Sequence, residues 1–399
     1  MHVDMTQLGL LLFVSALVAM LMRRLHLPYT VGLVAAGMVL VLMQVRVQMQ
    51  LSKDLIFSVF LPPLVFEAAL CIRWSQLKSD LVIVSTLATA GVAIAAVIVA
   101  AGMHWLLEWP WGSAAVFGIL ISATDPVSVI ATFKEAGLHG RLRLLVEAES
   151  LLNDGTAAVA FVIALQMATQ SMAHTNMALA LLLTVGGGIV CGLAVGAGFM
   201  LLAGRTNDHL VEITLTTLSA YTSFLLAEHF HFSGVLATLC AGLLTGNYGR
   251  MASLSSAARD AVDSFWEYIA FVANSLVFLL IGVHETQQHF LTMWSAILLT
   301  IMLVLISRAA AIYPLCAVFN RSRMHVDIHH QHVLFWGGLR GALALALVLG
   351  LPPDMPRRED IVTIAFAVVA FSVFVQGLTM SPLLRRLGQL DIRPRGTTQ

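Results

Sequence analysis

Apolar runs of about twenty residues recur along the whole chain, parted by short stretches where charges, prolines and glycines collect. That spacing suits helices long enough to cross a hydrocarbon layer. Thirteen spans are predicted, near 6–22, 28–45, 54–72, 79–106, 112–134, 142–170, 177–203, 209–228, 232–248, 264–283, 291–318, 329–350 and 361–386. No small-residue cleavage site follows the first run, so it reads as a retained helix and not as a removable signal.

Composition sharpens this picture. Of 399 residues, 59% are hydrophobic and 11% charged, so the spans fill the length and leave no room for a soluble catalytic domain. Function must sit among the helices. Lys+Arg and Asp+Glu both total 22, and this balance gives no reason to expect a nucleic-acid partner. Cys71, Cys191, Cys240 and Cys316 are widely spaced in or near apolar runs and suggest neither a disulfide framework nor a zinc site.

The placement of charge says more than its sum. Loops after odd-numbered spans carry Arg23, Arg24, Arg73, Lys78, Lys134, Arg141, Arg143, Arg205, Arg250, Arg259, Arg321 and Arg323, and the C-terminal end adds Arg385, Arg386, Arg393 and Arg395. Even-numbered loops hold only Arg46, Lys53, Arg357 and Arg358. This asymmetry predicts an N-terminus outside and a C-terminus in the cytoplasm, which requires an odd number of spans. Trp105, Trp109 and Trp111 surround the loop after the fourth span, where an outer aromatic belt is expected. Thirteen spans divide as six, one and six, with the two sixes inserted in opposite senses, the inverted-repeat plan of secondary transporters. The repeats are expected over 1–172 and 207–390, with a linking helix in 173–206 and a short cytoplasmic tail at 391–399.

Ionisable residues inside the spans are the candidate chemistry. Thr124, Asp125 and Pro126 lie halfway along the fifth span, in ISATDPVSVI. Proline removes a donor and clashes with the carbonyl four residues back, so a break is expected that leaves carbonyls near Ser122 to Thr124 unpaired. Asp125 then sits as N-cap of a second half-helix with Pro126 at its first position. Serine or asparagine would cap without placing a charge in the bilayer, which argues against a purely architectural role. The sixth span opens with VEAESLLNDGTAAVAF: Ser150 and Asp154 share one face, and Glu149 and Asn153 the neighbouring face, turned by ~100°. An acid at a span centre costs ~2.5–3.5 kcal/mol on insertion scales, so three of them call for a function. Arg308 lies in the eleventh span, and Arg340 in the twelfth amid Gly337, Gly338 and Gly341, where a second break is expected. Arginine keeps its proton, so each must meet an acid or a cluster of helix C-terminal carbonyls. Asp125, Glu149 and Asp154 against Arg308 and Arg340 leave one negative charge. Such a site takes one monovalent cation or one proton, in competition. Glu67, Glu147 and Glu228 are expected nearer interfaces and outside this sum.

The ESLLND run, the TDP of the fifth span, FLPPLVFEA of the third and GGLRGALALAL of the twelfth resemble the monovalent cation:proton antiporters, specifically NhaP-type bacterial sodium/proton exchangers related to animal sodium/hydrogen exchangers. The resemblance covers nearly the whole chain. It implies an all-α polytopic protein of the bacterial inner membrane with crossed, unwound helices 5 and 12. It further implies a core bundle of helices 4–6 and 11–13, a dimer domain from the remainder, and a homodimer. It makes Asp154 the ion- and proton-binding carboxylate, with Asp125, Ser150 and the main-chain carbonyl of Thr124 completing the site. Glu149 would pair with Arg308, and Arg340 would stabilise the broken twelfth helix. Asn153, where electrogenic relatives carry a second aspartate, suggests electroneutral one-for-one exchange. The chain stops soon after Arg395, so regulation through a cytoplasmic domain is not expected.

The expected function is antiport of sodium or lithium against protons across the bilayer. These ions are transported solutes, with no cofactor and no enzyme chemistry. Carboxylate, hydroxyl and carbonyl oxygens are hard ligands suited to a small alkali cation. Potassium/proton exchange on the same scaffold is the nearest rival. An intramembrane aspartyl protease is a rival of another class, against which stand the missing Gly-x-Gly-Asp signature and the buried arginines.

Overall fold

The computed structural model describes residues 5–25, 27–45, 49, 51–136, 138, 140–168, 177–206, 208–252, 256–285 and 290–389. Arg46, Arg393 and Arg395, the tail at 391–399 and the side chain of Arg250 lie outside the described residues. Among the described residues there is no strand.

Along the first half run α1 (Met5–Leu25), α2 (Tyr29–Leu42), α3 (Lys53–Cys71), α4 (Trp74–Leu107), α5 (Trp111–Leu120), α6 (Val127–Ala136) and α7 (Arg141–Ala168). The second half holds α8 (Met177–Ala203), α9 (His209–His229), α10 (Gly234–Ala252), α11 (Ser256–Glu285), α12 (Trp294–Val318), α13 (Ile328–Trp336), α14 (Ala342–Leu349) and α15 (Arg358–Arg386). Among the described residues, nine helices are long and apolar enough to cross a membrane, and Tyr29–Leu42, Trp111–Leu120 and Gly234–Asn247 are shorter apolar helices. With α5/α6 and α13/α14 each taken as one interrupted span, the architecture is consistent with thirteen crossings. Two starts differ from expectation: α4 begins at Trp74 and α11 at Ser256, because helix-forming residues continue the helix past the apolar run that marks the span.

Local chemistry explains the continuity of α3 despite Pro62 and Pro63. A wide π-turn at Ile56–Phe60 precedes them and absorbs the backbone bonds that proline cannot make. Close packing then positions the walls of the site. A Cβ on Gly37 of α2 would run into the Leu279 carbonyl of α11, and one on Gly282 would run into the Val34 carbonyl, so these two backbones touch directly. This contact holds α11 against the middle of the molecule. At one end, the Arg141 guanidinium of α7 donates to both Asp80 carboxylate oxygens of α4 at 2.7–3.1 Å. It also donates to the Met324 and His325 carbonyls at 3.0 and 2.6 Å, tying α4 and α7 to the turn that leads into α13.

Candidate functional site

The two interrupted spans cross at their breaks. Residues 121–126 separate α5 from α6, and Gly337–Gly341 separate α13 from α14. The Asp125 amide donates to the Leu339 carbonyl at 2.8 Å, joining one break to the other. The carboxylate of Asp125 accepts from the Val127 amide (3.0 Å), which opens α6, and from the Ala342 amide (3.4 Å), which opens α14. One acid thus faces the positive ends of two half-helices. Gly341 is required here by space, since a Cβ would collide with the Asp125 carboxylate.

The carbonyls that the break frees from the helix of the fifth span find other donors. Arg340 Nη1 donates to the carbonyls of Ser122 and Ala123 at 3.0 and 3.1 Å, and Ser150 Oγ donates to that of Thr124. Arg340 therefore compensates the negative end of α5, where the resemblance had assigned it to the twelfth helix. The physical reason is the crossing itself, which brings the loop carrying Arg340 against the C-terminus of α5.

Glu149 and Arg308 form a buried bidentate pair at 2.8 and 2.9 Å, with 2% and 7% exposure. Arg308 Nη2 also donates to the Leu334 carbonyl near the end of α13 at 3.0 Å. Asn153 links this pair to the break: its amide nitrogen donates to Glu149 (3.1 Å) and to Thr124 Oγ1 (2.6 Å), and its oxygen accepts from the Thr124 amide (3.2 Å). Two acids and two arginines of the crossing are thus each matched by an opposite charge or a helix end.

Asp154 is not. Its Oδ1 is buried and has no hydrogen-bond partner among the described residues. Asp154, Asp125 and Ser150 line one cavity of about 310 Å³. From this end the cavity runs between α3, α6, α7 and α11 to a rim bearing Arg23, Lys134, Arg143, Glu147 and Glu267, where Lys134 pairs with Glu267 at 3.1 Å and Arg143 with Glu147 at 2.8 Å. Thr124 sits behind Ser150, with its carbonyl taken by the serine hydroxyl.

Glu67 and Glu147, expected nearer interfaces, both line this cavity, Glu147 at its rim. Sequence reasoning passed over Tyr29 and Asn274, which line the cavity from α2 and α11. A lone amide in FVANSLVFLL was the available signal for Asn274, since a polar group amid apolar span residues is costly there. Two further acids, Glu212 and Glu285, are buried at 2% and 1% exposure away from the cavity lining, so the charge sum describes the crossing and not the whole membrane interior.

Comparison with known proteins adds a family to this geometry. The profile described as "Sodium/hydrogen exchanger, transmembrane" matches residues 10–386. The chain is 40% identical over 376 residues to the Na(+)/H(+) antiporter ApNhaP of Aphanothece halophytica, covering 94% of this chain and 72% of that protein. It is 32% identical over 405 residues to the Na(+)/H(+) antiporter NhaH of Halobacillus dabanensis, covering 98% and 99%. Among solved structures, the sodium proton antiporter MjNhaP1 from Methanocaldococcus jannaschii at pH 8 shares the fold, with a TM-score of 0.75 over 96% of each chain at 20% identity.

Proposed function

The chain belongs to the sodium/hydrogen exchanger family, and from that premise we propose that Asp154 carries sodium and protons in turn as the shared carboxylate of the exchange. The protein is a multi-pass membrane antiporter that exchanges sodium for protons, and not an enzyme. The observation that carries the assignment is the contrast in charge at the crossing: Asp125, Glu149, Arg308 and Arg340 each meet an opposite charge or a helix end, although the Nε atoms of both arginines make no hydrogen bond, whereas Asp154 Oδ1 has no hydrogen-bond partner among the described residues.

The mechanism follows from that residue charge. A sodium or lithium ion entering the cavity meets the Asp154 carboxylate, with Asp125 and Ser150 beside it and the Thr124 carbonyl behind the serine. A proton neutralises the same carboxylate, so binding of one excludes the other. Loaded with either, the site is neutral and crosses by movement of a core bundle, helices α4–α7 and α12–α15, against a dimer domain formed by the rest. Empty, it retains an unneutralised charge in a medium of low dielectric and moves slowly. The basic rim at Arg23, Lys134 and Arg143 supports a cavity open to the cytoplasm, in a homodimer within the bacterial inner membrane, with the N-terminus outside.

Proteoliposomes enclosing a pH dye test this reading. Asp154→Asn is expected to abolish sodium- and lithium-driven proton movement while the purified protein keeps its size-exclusion profile. Sodium-driven proton release by that variant at wild-type rates refutes the assignment.

A further inference from the structure

Part of the cavity lining belongs to α11, which packs backbone to backbone against α2 at Gly37 and Gly282. Ala270 and Phe271 are the apolar part of that lining, and Asn274 supplies its amide. Asn274 is 7% exposed, and its Oδ1 is buried with no hydrogen-bond partner among the described residues. An amide oxygen removed from water without a donor is unfavourable. Asp154 Oδ1, on α7, is in the same condition. Asp154 and Asn274 line one cavity, and each holds a buried oxygen without a donor, which a cation taken up there would satisfy. Of the rim cations, Lys134 and Arg143 are engaged by Glu267 and Glu147, and Arg23 is exposed at the mouth.

We propose that Asn274 is a further cation ligand: its amide oxygen, a hard donor like the backbone carbonyl of Thr124, completes the shell of the transported alkali ion from the α11 side. The inference rests on Asp154 being the carrier carboxylate and adds to it a ligand from the opposite bundle. It has a directional consequence. A ligand on α11 is in reach only while the cavity has its present shape, so it favours cation loading at this side and is withdrawn when the bundles move apart.

An amide oxygen holds sodium but takes up no proton in the working range, so the variant effect separates the two competitors. With competition at Asp154, the apparent sodium KM is the intrinsic constant multiplied by one plus the ratio of proton concentration to the proton constant. Asn274→Ala, and Asn274→Leu, which fills the volume without an oxygen and carries the test if alanine's void costs the fold, are expected to raise the sodium KM about tenfold. The factor is the same at every pH, because the proton constant and the maximal rate stay near wild type. An unchanged KM in the alanine and leucine variants overturns the proposal. So does a proton constant that shifts together with KM, which would assign the amide to hydrogen bonding of the empty carboxylate. Asp154→Asn measured alongside keeps the two readings apart: if it transports, the carrier assignment fails, and if it is silent while Asn274→Leu has wild-type KM, only the Asn274 ligand fails.

Discussion

Glu149 and Arg308 illustrate how charge is tolerated at the residue scale. Both are nearly sealed from solvent, and each satisfies the other through two parallel hydrogen bonds. Removing one partner leaves the other charge buried alone, which costs about 3–5 kcal/mol, whereas apolar replacement of both is often close to neutral. Glu149→Ala is therefore expected to lower the melting temperature of the detergent-solubilised protein sharply, and Glu149→Leu with Arg308→Met to recover most of the loss. Thermal-shift measurements on the three proteins check this, and equal melting temperatures for single and double variants would contradict it. The charged residues of the crossing were legible in the sequence because an acid or arginine inside a span is expensive and must be matched. Asn274 gives a weaker signal, a costly polar group in an apolar run but with no net charge that must be balanced. Glu67 reads as an interface residue from its position near the end of α3, and only the packing of the helices shows that the cavity reaches it.

At the scale of elements, the two breaks follow from proline and glycine, and both were legible for that reason. What could not be read was which half-helix end each polar side chain would serve, because that depends on how the breaks cross. Arg340 lies in the twelfth span's break yet meets carbonyls of the fifth. Gly341 matters for the same reason, as its hydrogen stands where a methyl group would displace Asp125. Gly341→Ala is expected to reduce exchange at least tenfold and to lower thermal stability, assayed by proton flux in proteoliposomes and by thermal shift. Wild-type flux would show that the carboxylate has room to move aside. Farther out, Asp327 caps α13 by accepting from the His329 amide at 3.0 Å, and the hydrogen bond from the His329 side chain holds its carboxyl below the usual range. A lowered carboxyl keeps its capping charge as pH falls through ordinary carboxylate values and loses it only on stronger acidification, so mild acid leaves the start of α13 intact.

For the whole molecule, the proposed charge balance at the crossing has a consequence for its response to membrane potential. A site that crosses neutral in both directions moves no net charge per cycle, whereas an electrogenic carrier gains ~2.3 kcal/mol per charge per 100 mV. Exchange rates in proteoliposomes clamped with valinomycin at different potentials are expected to coincide. A rate that rises steadily with inside-negative potential would require a second titrating group, for which the buried Glu285 is the first residue to replace.

The amide–carbonyl bond from Asp125 to Leu339, together with the double cap of Asp125, makes the crossing a stapled unit. Neither interrupted span can slide or untwist without tearing bonds from its counterpart. A passenger seated there rides on a rigid ferry, and the shoreline that changes around it is built by the helices on either side.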